Sequence, residues 1–143
     1  MIFTPNASEL FNHSLQNNPS NIRKTNGDQL VETIKNSNQF NNKLREKIAE
    51  SPNKTFVDEK INIVFIENKD LLAAIHNIDF IISGTVVDGS GCLSITASDE
   101  YNFEFETKYT FLNLINNIAN AWEEIGWVNN YMIYLDFDYC LIS

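Results

Sequence analysis

Apolar side chains recur every three or four residues between Asp28 and Ile48, first as Leu30, Val31 and Ile34 and then as Phe40, Leu44 and Ile48. This spacing predicts one buried stripe on a helix, or on two short helices broken near Asn36-Ser37-Asn38, with Ser51-Pro52-Asn53 as the stop. The period then changes to two: Ile61, Ile63 and Phe65 alternate with their neighbours, which suits a strand. Asn68 is placed to cap a short apolar turn from Leu71 to Ile75. From Ile78 to Val87 the residues are mostly β-branched or aromatic. Asp88-Gly89-Ser90-Gly91 supplies residues that accept positive φ, so a hairpin into Leu93–Phe105 is predicted. Helical spacing returns from Thr110 to Ile125, where Phe111, Leu114, Ile115, Ile118 and Trp122 form a stripe that ends at Gly126. Met132 to Ile142 alternates again as a last strand. By contrast, Met1 to Gly27 is rich in Asn, Ser and Pro with scattered apolar anchors, and reads as an irregular lead-in.

Helices first and strands later favour the α+β class over a parallel βαβ order. The expected architecture has N-terminal helices, an antiparallel sheet with a central hairpin, and one long amphipathic helix before the last strand. The whole chain, 1–143, is expected to form a single domain. Its 143 residues are 43% apolar, with 10 Phe, 5 Tyr and 2 Trp, which is enough for a core without a disulfide staple.

Charge narrows the partners. Ten basic against nineteen acidic residues give a net charge of −9, which repels phosphate backbones and argues against nucleic acid. The bases gather in the N-terminal third, so a basic protein partner would meet the acidic C-terminal half. No run of eighteen apolar residues predicts a membrane span, and the polar start does not read as a signal peptide. Export, if it occurs, would then use a specialised system; the other expectation is a cytoplasmic protein. Cys92 and Cys140 have the wrong number and spacing for a zinc site and read as plain buried thiols. A bridge between them is left open, because both lie in predicted strands.

Phosphate loops, nucleophile elbows and zinc-protease motifs are absent, and no cofactor is identified. The candidates are therefore individual residues. Alternation places Asp99 on the same strand face as Tyr101, Phe103 and Phe105, so a carboxyl shares an apolar face and must find a partner or shift its pKa. The simpler reading is an acid at a sheet edge beside a core tyrosine. His76 follows an apolar turn and reads as a satisfied, partly buried imidazole. His13 lies in a polar loop with apolar anchors, where a solvated side chain and a functional one both fit. Asp136 and Asp138 point to one face of the last strand, as an acid–base pair or a hard-metal site requires, and equally as solvated carboxylates would.

The stretch Asp70-Leu71-Leu72-Ala73-Ala74-Ile75-His76, followed by Ile81-Ile82-Ser83-Gly84-Thr85 and Ser98-Asp99-Glu100-Tyr101-Asn102-Phe103, resembles a pattern in the C-terminal toxin domains of bacterial polymorphic toxins and colicin M-like bacteriocins. The helix with Asn116-Asn117-Ile118-Ala119-Asn120-Ala121-Trp122 is similar to the helix that follows in that pattern. The resemblance implies that Asp99 and Tyr101 match the acidic and aromatic positions of an enzyme class that cleaves the lipid-linked peptidoglycan precursor at its pyrophosphate. Asn102 stands where that signature has a second Asp, and neither His nor Arg follows Tyr101, which leaves Lys108 as the cation for a pyrophosphate.

The resulting expectation is an interbacterial toxin or effector domain, hydrolytic if it is an enzyme, acting on a cell-envelope or cytoplasmic target. Its site would comprise Asp99, Tyr101 and His13, with Asn102, Lys108, Asp136 and Asp138 in binding roles. A cognate immunity protein would be its partner. The alternative is an acidic, non-enzymatic binding module, such as an immunity or inhibitor protein, that covers a basic surface.

Overall fold

The computed structural model describes residues 5–101 and 129–142. In chain order the elements are α1 (Pro5–Ser14), β1 (Ile22–Thr25), α2 (Gln29–Asn36), α3 (Asn38–Glu50), β2 (Lys54–Val64), α4 (Lys69–Ala74), β3 (Asn77–Val86), β4 (Gly91–Tyr101) and β5 (Tyr131–Leu141). The class is α+β. The five strands form one sheet in the order β1-β5-β4-β3-β2. It is mixed rather than antiparallel throughout, because β1 runs parallel to β5, pairing Ile22 with Ile133 and Thr25 with Asp136. The predicted helix over Thr110–Ile125, and with it Asn102 and Lys108, lies outside the described residues.

Alternation along the strands sorts the sheet into two faces. Phe80 and Ile82 of β3, Leu93 and Ile95 of β4, and Ile133, Leu135 and Phe137 of β5 are buried on the inner face. Phe40 of α3 is fully buried there, with its ring 5.3 Å from Phe80, 5.8 Å from Phe137 and 5.3 Å from Tyr139. The outer face carries Asn62, Asp79, Thr96, Ser98, Asp136 and Asp138, all exposed.

The break between α2 and α3 falls at Ser37. Its hydroxyl donates to the Ile34 carbonyl at 2.8 Å and accepts from the Phe40 N–H at 3.3 Å, while Asn41 Nδ2 donates to the Lys35 and Ser37 carbonyls. These bonds satisfy the backbone groups that the interruption would otherwise strand. Asn68 caps α4, its side chain accepting from Leu71 N–H at 3.1 Å. His76, expected to be partly buried, is instead exposed and takes a positive φ of 45° as the chain turns out of α4 into β3. The turn between β3 and β4 places Asp88 and Gly89 at positive φ, 50° and 77°.

The lead-in, expected to be irregular, carries α1 over Pro5–Ser14 and β1 over Ile22–Thr25. Ala7, Leu10, Phe11 and Ser14 are buried at the spacing of one helical face, and the N-terminus of α1 is capped from far along the chain. Asp70 is buried and accepts from Ala7 N–H at 2.8 Å, from Asn6 N–H at 3.3 Å and from Asn6 Nδ2 at 2.7 Å. A carboxylate at a helix N-terminus satisfies unpaired N–H groups and complements the helix dipole. The cap comes from a residue 64 positions away, so local composition carries no sign of it. β1 likewise owes its extension to its pairing with β5.

The cysteines form a disulfide, Cys92–Cys140, between residues paired directly across β4 and β5. Both are exposed on the outer face, which corrects the expectation of buried thiols. Strand alternation accounts for this: the buried positions of β4 are Leu93 and Ile95, so Cys92 points the other way.

Two stability outcomes follow. Asp70→Asn keeps the volume but turns one acceptor into a donor facing N–H groups, and it should lower unfolding stability by about 2–3 kcal/mol in urea titration; an unchanged midpoint would show that the cap is dispensable. Reduction of Cys92–Cys140 opens a loop of 48 residues and should lower stability by about 4 kcal/mol on the chain-entropy account. That loss would appear as a lower urea midpoint with reductant present and no shift in a Cys92→Ser/Cys140→Ser variant on adding reductant.

Candidate functional site

β4 pairs with β5 along its whole length, to Tyr101 opposite Tyr131, and β3 pairs with β2 down to Asn77 opposite Val64. The β3–β4 ladder stops earlier, at Phe80 opposite Ala97. Carried further, the same register would set Asp79 against Ser98 and Ile78 against Asp99, but the strands are not paired there. A slot of about 290 Å³ results, lined by Asn62, Asn77, Ile78, Asp79, Ser98 and Asp99.

Asp99 reaches this slot from the inner face. Its position continues the buried series Leu93, Ile95, Ala97 on β4, and it is half-buried between Ile133 on the neighbouring strand and the slot. Burial pushes its carboxyl up from the ordinary 3.8 to about 7, against the opposing effect of the Glu100 backbone N–H that donates to it, while the nearby Glu100 charge raises it further. A carboxyl that exchanges its proton near neutral pH is suited to general acid–base work. Asp79 stands in the same slot on the outer face. It accepts from Asn62 Nδ2 at 2.8 Å and lies 3.9 Å from Lys60 Nζ.

Tyr101 and His13 are joined through a third ring. Tyr101 is buried and stacks on Tyr131, with centroids 5.1 Å apart and planes 21° from parallel. His13, at the end of α1, meets Tyr131 edge-on at 4.7 Å, and its Nε2–H donates to the Ser20 carbonyl at 2.7 Å. Tyr131 donates its hydroxyl to the Leu10 carbonyl at 2.7 Å. Burial raises the pKa of both tyrosines, helped for Tyr101 by Tyr131 and for Tyr131 by Glu9. His13, Tyr101 and Tyr131 thus form one aromatic group that ties α1 to the ends of β4 and β5. The slot walls include Asp99 but not the imidazole.

Asp136 and Asp138 both sit on the outer face, in different settings. Asp138 is clamped to the β1–α2 loop, its backbone N–H donating to Asn26 Oδ1 at 3.0 Å and its carboxylate accepting from Asn26 Nδ2 at 3.2 Å. Asp136 lines a second depression of about 400 Å³ with the polar or charged Arg23, Asp79, Thr96, Ser98 and Tyr134 and the apolar Ile81, Ala97 and Leu135. Among the described residues, no group of three or more His, Cys, Asp or Glu side chains could hold a metal ion, and no helix is long and apolar enough to cross a membrane.

Sequence reasoning singled out Asp99 and Asp136, took Ser98 only as part of the run that carries the resemblance, and missed Asn62, Asn77, Asp79, Arg23 and Tyr134. Their common location arises from strand order and from the point where one ladder ends, and neither leaves a local motif.

The raised carboxyl carries a stability signature. Folded Asp99 holds its proton to a higher pH than the unfolded chain does, so its stabilising contribution is complete below about pH 4 and is lost as pH rises through about 7. Asp99→Asn removes this dependence. Relative to the parent, the variant should gain on the order of 3 kcal/mol between pH 4 and pH 8, read from paired urea titrations; parallel pH profiles would show that Asp99 titrates as a solvated acid.

No protein-family model matches the chain, and no curated protein or solved structure matches it either.

Proposed function

We propose that this chain is an interbacterial toxin or effector domain whose hydrolytic centre is the slot between β3 and β4, with Asp99 as the general acid. The observation that carries the reading is the slot itself: a carboxyl on the buried face of a strand, opened to solvent only where a ladder stops. In this role Asp99 gives a proton to the leaving group while water attacks, and Asp79 receives the proton that water loses. Asn62, Asn77 and Ser98 supply neutral donors and acceptors for orientation. Tyr101, Tyr131 and His13 act as positioning residues, holding the end of β4 on which Asp99 sits. The resemblance to polymorphic-toxin domains supports the same reading, since Asp99 and Tyr101 are its matching residues.

The target lies outside the cytoplasm in this proposal. Disulfides form and persist in oxidising compartments and are rare in reducing ones, and Cys92–Cys140 is exposed to whatever reductant surrounds it. An envelope target therefore fits better than a cytoplasmic one.

A second reading has its own observation. The outer face exposes Asp79, Glu100, Asp136 and Asp138 on a chain of net charge −9, which suits an immunity or inhibitor module that covers a basic partner surface.

Expression in a bacterial host, directed separately to cytoplasm and periplasm, separates the two. Growth arrest from the periplasm, abolished by Asp99→Asn at equal protein level, is the expected outcome. A harmless parent protein in both compartments, or an Asp99→Asn variant that is still toxic, removes the hydrolytic assignment and leaves the binding module.

A further inference from the structure

The depression lined by Asp136 and the Asp99 slot are not separate features. Asp79 and Ser98 line both, so the two volumes, about 400 and 290 Å³, are neighbours across the outer face. Together they run from Asn62 on β2 to Arg23 on β1. That path crosses four strand intervals, or about 19 Å at the usual spacing of paired strands. The combined volume lies within the range of small-molecule sites, but its elongated shape suits a chain better than a compact ligand.

The wall chemistry limits what that chain can be. Tyr134 stands between Arg23 and Ser98, its partners in register on the two neighbouring strands. The guanidinium of Arg23 lies over its ring, 5.5 Å from the centroid. This contact holds an aromatic platform on a wall that also carries the apolar Ile81, Ala97 and Leu135. Around it Asp79 and Asp136 only accept when ionised, Arg23 only donates, and Thr96 and Ser98 do both. A polyanion would meet two carboxylates, and a polycation would meet Arg23. An apolar peptide would leave the acids and the guanidinium without partners. A neutral ligand whose hydroxyls both donate and accept, and whose rings present C–H faces to an aromatic side chain, satisfies every group.

We infer that the outer face of the sheet binds a neutral carbohydrate chain, with Tyr134 as its stacking platform and the Asp99 slot at one end of the groove. Naming this glycan as the substrate rests on the hydrolytic reading of Asp99, whereas its binding does not. If it is the substrate, the bond broken is a glycosidic C–O bond: Asp99 protonates the leaving oxygen, water adds at the anomeric carbon, and Asp79 takes up the water proton.

The test is isothermal titration of the intact, oxidised protein with neutral oligosaccharides of four or more residues, namely chitotetraose, cellotetraose and maltotetraose. At least one should bind, with affinity reduced ten-fold or more by Tyr134→Ala. Thr85→Ala, an outer-face change on β3 outside the groove, should leave binding as in the parent. Absence of binding to all three at millimolar sugar, or binding that Tyr134→Ala leaves intact in a folded variant, overturns the inference. Periplasmic toxicity that depends on Asp99 would survive either result and keep the hydrolytic reading with another substrate class. Conversely, Tyr134-dependent binding in a protein that is harmless in both compartments upholds the groove and removes the hydrolysis.

Discussion

The arrangement of this molecule depends on β5 being hydrogen-bonded along both edges, parallel to β1 on one side and antiparallel to β4 on the other. Parallel neighbours need a long connection, and here nearly the whole chain separates the two. The N-terminal segment is consequently held by contacts with residues far along the chain: β1 by β5, α1 by the Asp70 cap, and the end of α1 by the Tyr131 hydroxyl at Leu10 and the His13–Tyr131 ring contact. At the Asp70 cap and the Tyr131 hydroxyl, a polar group is satisfied by a partner far along the chain. Buried polar groups are costly when unpaired, so such pairs act as an alignment code that local hydrophobic burial alone does not supply.

This dependence explains what was legible beforehand. The stripe from Leu30 to Ile48 and its interruption at Ser37 could be read because helix periodicity and capping are local. The Asn68 cap and the alternation in β5 could be read for the same reason. α1 was not legible, because its buried positions include Asn6 and Ser14, residues whose types signal loops until Asp70 and the Phe11 carbonyl are known to receive them. Neither was β1, whose four residues carry too little pattern. The orientation of Cys92 and Cys140 follows from alternation alone, but their pairing depends on register. At the candidate site, the placement of Asp99 on the buried face was legible from period two, whereas its exposure through a gap depends on where the β3–β4 ladder ends.

That gap gives the sheet two chemical environments within one strand interval. On the inner side, Asp99 sits among apolar neighbours and its proton is held more tightly; on the outer side, Asp79 is hydrogen-bonded to Asn62 and open to water. A continuous ladder would keep these surroundings apart, while a wider opening would flood both with solvent and erase the difference. The surroundings of each carboxyl are therefore set by where the β3–β4 ladder ends as much as by the neighbouring side chains. The flanking ladders continue past the gap on both sides and fix the separation of its walls.

The bridge on the outer face has a consequence for the integrity of the chain. Cys92 and Cys140 close a covalent ring through 48 residues of sequence, and a ring cut once becomes a line with both ends still attached. A protease that severs one peptide bond between Tyr101 and Tyr131 would leave β4 and β5 tethered side by side, with the ladder between them as a template for the broken chain to settle back upon. In surroundings rich in proteases and poor in reductants, one such cut would therefore nick the molecule without dividing it.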